Sequence, residues 1–283
     1  MCTAVISFAP AAPFPVLLLG VRDEFAARAW QPPARHWPDR PALIGGRDAQ
    51  AGGTWLAVDP GAPRAATVLN GRGKMAPEHA RTSRGELPLR AGFDPTASDL
   101  SGFDPFHLVA AEPAAVRLWS WDGTDLSARS LDPGLHLIVN SGLEASAPDD
   151  GPGSAEMSAR VAHFRRRFAA AARPEPWAGP PAAAWGDWLS LADGDGLDRT
   201  DPRALVVRRD FGDGRIWGTT SISLVALSRD GARFDFSPEP GDPTAWYTVT
   251  EPPPSGDVRD TGDVHPKDRL LLCDRGPLPQ CPD

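Results

Sequence analysis

Met1-Cys2-Thr3-Ala4-Val5-Ile6-Ser7-Phe8 opens the chain, and Val16-Leu17-Leu18-Leu19-Gly20-Val21-Arg22-Asp23-Glu24 answers it after a loop broken by Pro10, Pro13 and Pro15. Two apolar runs joined by a Pro-rich loop read as a β-hairpin. Neither run alternates with polar residues, so both strands are expected to be covered on both faces. The antiparallel return brings Arg22 and Asp23 beside Cys2. Removal of the initiator Met would leave Cys2 with a thiol nucleophile and a free α-amine, of pKa near ~8, on the same residue. The alternative is a small residue that merely follows Met1.

Composition narrows the function classes. The chain has 283 residues, 41% hydrophobic and 23% charged, the balance of a globular protein with ample material for a core. Net charge is −8 and only Lys74 and Lys267 are lysines, so nucleic acid is not expected as a partner. The Arg165-Arg166-Arg167 cluster lies in helix-like sequence and reads as a solvated face. The first charge is Arg22 and no apolar run approaches ~18 residues, so neither a signal peptide nor a transmembrane segment is expected. A cytoplasmic location follows as the expectation. Cys273 and Cys281 stand in a Pro-rich tail and could pair. No Cys/His spacing matches a zinc site, and no cofactor or metal is called for.

Further along, residues 26–41 are rich in Pro, Arg and Trp and read as irregular. The stretch Ile44-Gly45-Gly46-Arg47-Asp48-Ala49-Gln50-Ala51-Gly52-Gly53-Thr54-Trp55 reads as a tight loop entering a strand, either a plain turn or a pocket wall. It lacks the Lys-Ser/Thr of a phosphate-binding loop and the dinucleotide fingerprint. Ser83-Arg84-Gly85-Glu86 is a turn or an anion-contacting loop. Strands are expected at 65–69, ending at Asn70, and at 106–111, 115–121 and 126–131, with a turn at Asp122-Gly123. Another is expected at 135–139, ending at Asn140.

Helices follow. Met157, Val161, Phe164 and Phe168 repeat at three and four residues within a helix from Ser154 to about Ala172. A second, short helix is expected over 185–191. Asp193-Gly194-Asp195-Gly196-Leu197-Asp198 begins like a calcium loop but has Ala204 where the twelfth-position Glu belongs. Strands return at 204–208, 216–227 and 232–236. The expected organisation is one α+β domain over residues 1–250 with a Pro-rich C-terminal tail over 251–283.

Taken together, Met1-Cys2-Thr3, Arg22-Asp23-Glu24-Phe25, the stretch Gly45 to Trp55 and Ser83-Arg84-Gly85 resemble the NRDE family, which includes the transport and Golgi organisation proteins of eukaryotes. The resemblance is strongest over residues 2–90. It implies a four-layer αββα sandwich like that of N-terminal-nucleophile hydrolases, with Cys2 as nucleophile. It further implies that Arg22 holds the thiolate or substrate, that Asp23 orients the new α-amine, and that Asn70 and Asn140 stabilise an oxyanion. Each Asn reads equally as a turn residue. The implied function is hydrolysis of a non-peptide carbon–nitrogen (amide) bond. The alternative is a non-catalytic pocket that binds haem or an acyl thioester for trafficking. Two departures stand out: Val21 replaces the family's namesake Asn, and Thr220 follows Gly218-Thr219 where an Arg is frequent.

Overall fold

The computed structural model describes residues 2–96, 98–145 and 153–249. The strands are β1 (Thr3–Phe8), β2 (Val16–Phe25), β3 (Trp30–Ala34), β4 (Ile44–Asp48), β5 (Leu56–Asp59), β6 (Arg64–Asn70), β7 (Phe106–Glu112), β8 (Ala115–Trp121), β9 (Leu126–Ser130), β10 (Gly134–Val139) and β11 (Gly142–Leu143). Three helices follow, α1 (Ser154–Ala170), α2 (Pro181–Trp185) and α3 (Asp187–Ala192). The last strands are β12 (Arg208–Asp210), β13 (Ile216–Leu227), β14 (Ala232–Ser237) and β15 (Tyr247–Thr248).

These strands form two antiparallel sheets. The first runs β11-β10-β1-β2-β13-β14-β15, with β12 on the end of β13; the second is a meander from β3 to β9. The hairpin read from the opening residues is its centre: β1 pairs with β2 from Thr3↔Val21 to Phe8↔Val16, and with β10 on its other side from Thr3↔Val139 to Phe8↔Gly134. Because successive side chains point to opposite faces, each central strand feeds two cores. Val5, Leu17, Leu19 and Val21 pack against α1 and α3 through Met157, Val161, Phe164, Trp188 and Leu191. Ala4, Ile6, Phe8, Val16 and Leu18 instead meet Leu56, Val58, Leu69 and Val109 of the second sheet. The outer face of that second sheet is covered by Leu87, Leu89, Phe93, Leu100 and Phe103 from short 3-10 turns and loops. Four layers in αββα order result, the outer layer over the second sheet being thin.

Several elements differ from the sequence expectation. Residues 26–41 contain β3 despite Pro32 and Pro33. This is an edge strand with a register irregularity between Gln31 and Ala34, where Pro's missing N–H does little harm. Gly45-Gly46 lies within β4, and the loop is confined to the residues after Asp48. The expected strand at 204–208 begins only at Arg208: the Val207 carbonyl accepts the Thr219 N–H of β13, but its own N–H goes to the Thr219 hydroxyl, 3.0 Å away, and not to the backbone. The second helix is two short ones, broken at Gly186, whose φ of 51° suits glycine. Asp193 and Asp195 accept from Trp246 and from Arg167 and His163, so that turn ties the chain to itself. Among the described residues no helix is long and apolar enough to cross a membrane. The expected tail, with Cys273, Cys281 and His265, lies outside the described residues.

The α1 stripe is the main cover of the first sheet, and Phe164 is fully buried in it. Phe164→Ala is expected to destabilise the fold by about 3–5 kcal/mol, read from urea unfolding midpoints. A loss below about 1 kcal/mol would contradict this packing.

Candidate active site

Strand register alone assembles most of the site. With Thr3 opposite Val21 on one side and Val139 on the other, Cys2 comes next to Arg22 on β2 and to Asn140 just past β10. Cys2 packs with the inter-sheet core, on the same face as Ala4. Its thiol donates to the Asp23 carbonyl at 3.7 Å. The residue is partly exposed. Burial nevertheless pushes the thiol's pKa up; the positive charge of the chain's terminal amine is the main opposing influence, the negative charge of Asp23 adds to the rise, and the Asp23 carbonyl contact and Arg22 oppose it. The thiol is therefore protonated at neutral pH and requires a base to attack.

Arg22 is buried at 5% exposure, and several segments are arranged around its charge. Its guanidinium donates to the Thr220 hydroxyl at 2.8 Å, lies 3.6 Å from Asp48 and 3.9 Å from Glu24, and stands 4.6 Å over the Trp55 ring. Burial lowers the Arg22 pKa, with Glu24 opposing; an arginine stays charged nonetheless. A β-bulge in β13 makes the Thr220 contact possible. Thr219 faces Asp23 and Ser221 faces Arg22, so Thr220 is the extra residue. Burial raises the Asp48 pKa, but the 2.6 Å bond from Arg28 and the N–H groups of Ala51 and Gln50 outweigh it, leaving the carboxyl below its usual range. Asp48 thus caps its own turn and meets the Arg22 guanidinium at once.

The glycines of the same stretch have a steric purpose. A Cβ on Gly46 would strike the Trp55 indole, so the glycine leaves room for the ring that lies on Arg22. Gly53 and Gly85 touch backbone to backbone, joined by the Thr54 N–H to the Gly85 carbonyl at 2.9 Å. Ser83 caps this 3-10 turn by accepting from the Gly85 N–H. The Ser83-Arg84-Gly85 motif therefore acts as a brace behind Trp55.

Asp23 points the other way. Its carboxylate accepts from Thr219 at 2.7 Å and lies 3.7 Å from Arg160 of α1, on the helical face of the sheet. Arg160 is 1% exposed and also donates to the Thr3 hydroxyl at 3.0 Å. Val21 belongs to that same helical-side core. A polar side chain there would not face the thiol, so the Val21 departure removes nothing from the thiol's face.

Asn140 and Asn70 meet across the two sheets: the Asn140 side-chain N–H donates to the Asn70 carbonyl at 2.9 Å. Asn70 takes part through its backbone, and its residue is exposed. The Asn140 carbonyl accepts from His107 Nε2 at 3.2 Å, so Nε2 carries the proton and Nδ1 accepts from the Ser120 hydroxyl at 2.8 Å. Burial lowers the His107 pKa, with the Asn140 carbonyl opposing, so the ring is neutral at neutral pH. Sequence reading missed both His107 and Arg160. Arg160 could have been found, since it falls three residues after Met157 on the apolar stripe of α1. His107 carries no such signal, because its contact with Asn140 crosses between sheets.

A family model described as Transport and Golgi organisation 2 matches residues 1–174. No curated protein matches the chain. Two solved structures are similar in fold. An N-acylethanolamine-hydrolyzing acid amidase ortholog from Caenorhabditis elegans has a TM-score of 0.44 at 11% identity, covering 82% of this chain and 98% of its own. A mutant conjugated bile acid hydrolase from Clostridium perfringens has a TM-score of 0.42 at 8% identity, covering 84% and 89%.

A raised thiol pKa means less thiolate at any given pH. In chain that retains Met1, iodoacetamide should therefore modify Cys2 with an inflection above the ~8.5 of a free cysteine. Arg22→Gln removes a neighbouring positive charge and should move that inflection further up. An inflection at or below that of free cysteine would contradict the site's electrostatics.

Proposed function

Since the chain belongs to the Transport and Golgi organisation 2 family, we propose that it is an N-terminal-cysteine hydrolase of non-peptide carbon–nitrogen (amide) bonds in a small molecule. The observation that supports this reading is the register, which starts β1 at Thr3 opposite Val21 and Val139 and so leaves Cys2 at the strand ends that carry Arg22 and Asn140. Removal of Met1 would supply what a protonated thiol lacks, an α-amine on the same residue.

The chemistry then runs in two halves. Cys2 Sγ bonds to the amide carbon while its proton passes to the α-amine. The carbonyl oxygen becomes an oxyanion, which the second N–H of the Asn140 side chain receives, a donor commonly worth ~3 kcal/mol of barrier. Collapse breaks the carbon–nitrogen bond, and the ammonium returns its proton to the leaving nitrogen. Water, deprotonated by the same amine, then attacks the thioester, releases the acid and restores the thiol. Arg22 holds positive charge beside the sulfur. Asp23 is the carboxylate that orients the ammonium, and His107 positions Asn140. The Asn70 carbonyl holds the Asn140 amide and donates nothing itself.

A second reading has its own support. Thr220 stands where an Arg is frequent in the family, and one Asn140 N–H is already engaged by Asn70. Both observations favour binding without chemistry. His107 has both ring nitrogens hydrogen-bonded and is a poor haem ligand.

One pair of measurements separates the readings. Intact-mass spectrometry of protein made in cells should show Met1 absent. On that protein, Cys2→Ser should lower release of p-nitroaniline from acyl p-nitroanilides by about a thousandfold. Retained turnover in the variant, or full retention of Met1, would sink the hydrolase reading. Absent turnover with unchanged acyl-thioester affinity in both proteins would support the carrier.

A further inference from the structure

Behind the first sheet, on the side away from the thiol, Glu156 and the buried Arg160 of α1, Arg199 and Asp201 of the loop between α3 and β12, and the exposed Arg208 and Arg209 of β12 line an open cleft of about 150 Å³. The chain as a whole carries net charge −8, so four arginines around one small space are a local reversal of sign. Most of the charges are already matched. Arg160 lies 3.7 Å from Asp23, Arg209 is 3.7 Å from Glu156, and Asp201 is 2.7 Å from Arg203. The Arg203 hydrogen bond holds Asp201 down to about 2, so it stays ionised and occupied.

Two guanidiniums remain. Arg199 donates to the Pro240 carbonyl at 2.8 Å, a neutral partner. Arg208 has no side-chain partner among the described residues. The unmatched charge is thus two positive units, close in size and opposite in sign to that of a phosphate group at neutral pH. Guanidinium forks also suit phosphate oxygens. Burial pushes the Arg160 pKa down and the like charge of Arg209 pushes the same way, a repulsion that an anion between them relieves.

The cleft is wired to the site. Its floor, Arg160, touches Asp23 and Thr3. Its wall, Val207, donates to Thr219, whose hydroxyl donates to Asp23. Asp23 in turn accepts the Cys2 thiol through its carbonyl. We propose that this cleft binds the phosphate group of a small ligand and that occupancy is felt at Cys2 through Asp23.

The test uses the full chain and inorganic phosphate. Titration calorimetry should show saturable binding. Arg208→Ala should weaken it at least about tenfold, and Arg208→Lys should retain part of it. Arg117→Ala, an exposed arginine on β8, should leave it unchanged. Bound phosphate adds negative charge behind Asp23 and should slow alkylation of Cys2 about threefold at fixed pH, an effect absent in Arg208→Ala. No saturable binding up to about 10 mM, or equal binding by Arg208→Ala, would overturn the site. Binding that leaves the alkylation rate untouched would overturn the coupling. The calorimetry can be repeated with Cys2 blocked, so its outcome does not depend on whether Cys2 is a nucleophile.

Discussion

A guanidinium that cannot leave the interior organises this molecule. Arg22 is carried into the space between the sheets because β2 is buried along its length, and an uncompensated charge there would be very costly. The surrounding structure answers that cost. The bulge in β13 delivers Thr220, the turn after β4 delivers Asp48, and Gly46 makes room for Trp55 to lie on the cation. Two segments distant in sequence, the 46–55 stretch and the β13 bulge, therefore meet around one side chain. The thiol of Cys2 stands in the field that results.

The sheet divides the site's carboxylate from its thiol. Alternation along β2 puts Arg22 on the Cys2 side and sends Asp23 to the helical side, where Thr219 and Arg160 hold it. The two residues, adjacent in the chain, thus act from opposite faces on the start of β1. This arrangement lets charge on the helical side reach the thiol without entering the inter-sheet space. It also makes Val21 a core residue of the helical side. The family's namesake position can change there while the thiol's face stays as it is.

Much of this was legible in the residues. Unbroken apolar runs at 4–8 and 16–19 announced doubly covered strands, and antiparallel return placed Arg22 next to Cys2. The spacing of Met157, Val161, Phe164 and Phe168 announced the covering helix. What local pattern could not show was contact between elements, within a sheet or across the two. Gly45-Gly46 looks like a loop because glycine is rare in strands, yet here the missing side chain is needed for packing across to Trp55. Pro32-Pro33 looks irregular because only the edge position of β3 makes it tolerable. Asn70 and Asn140 were read as parallel donors, but the structure has one amide donating to the other residue's carbonyl. His107 was passed over because its contacts cross between sheets.

The central claim is that burial keeps the Cys2 thiol protonated until the terminal α-amine is Cys2's own. Comparing iodoacetamide rates of Cys2 at neutral pH in two forms, one beginning at Cys2 and one retaining Met1, tests it most directly. The form beginning at Cys2 should react faster than free cysteine and the Met1 form slower. Equal rates in the two forms would contradict it and leave Cys2 as a packed residue at the head of β1.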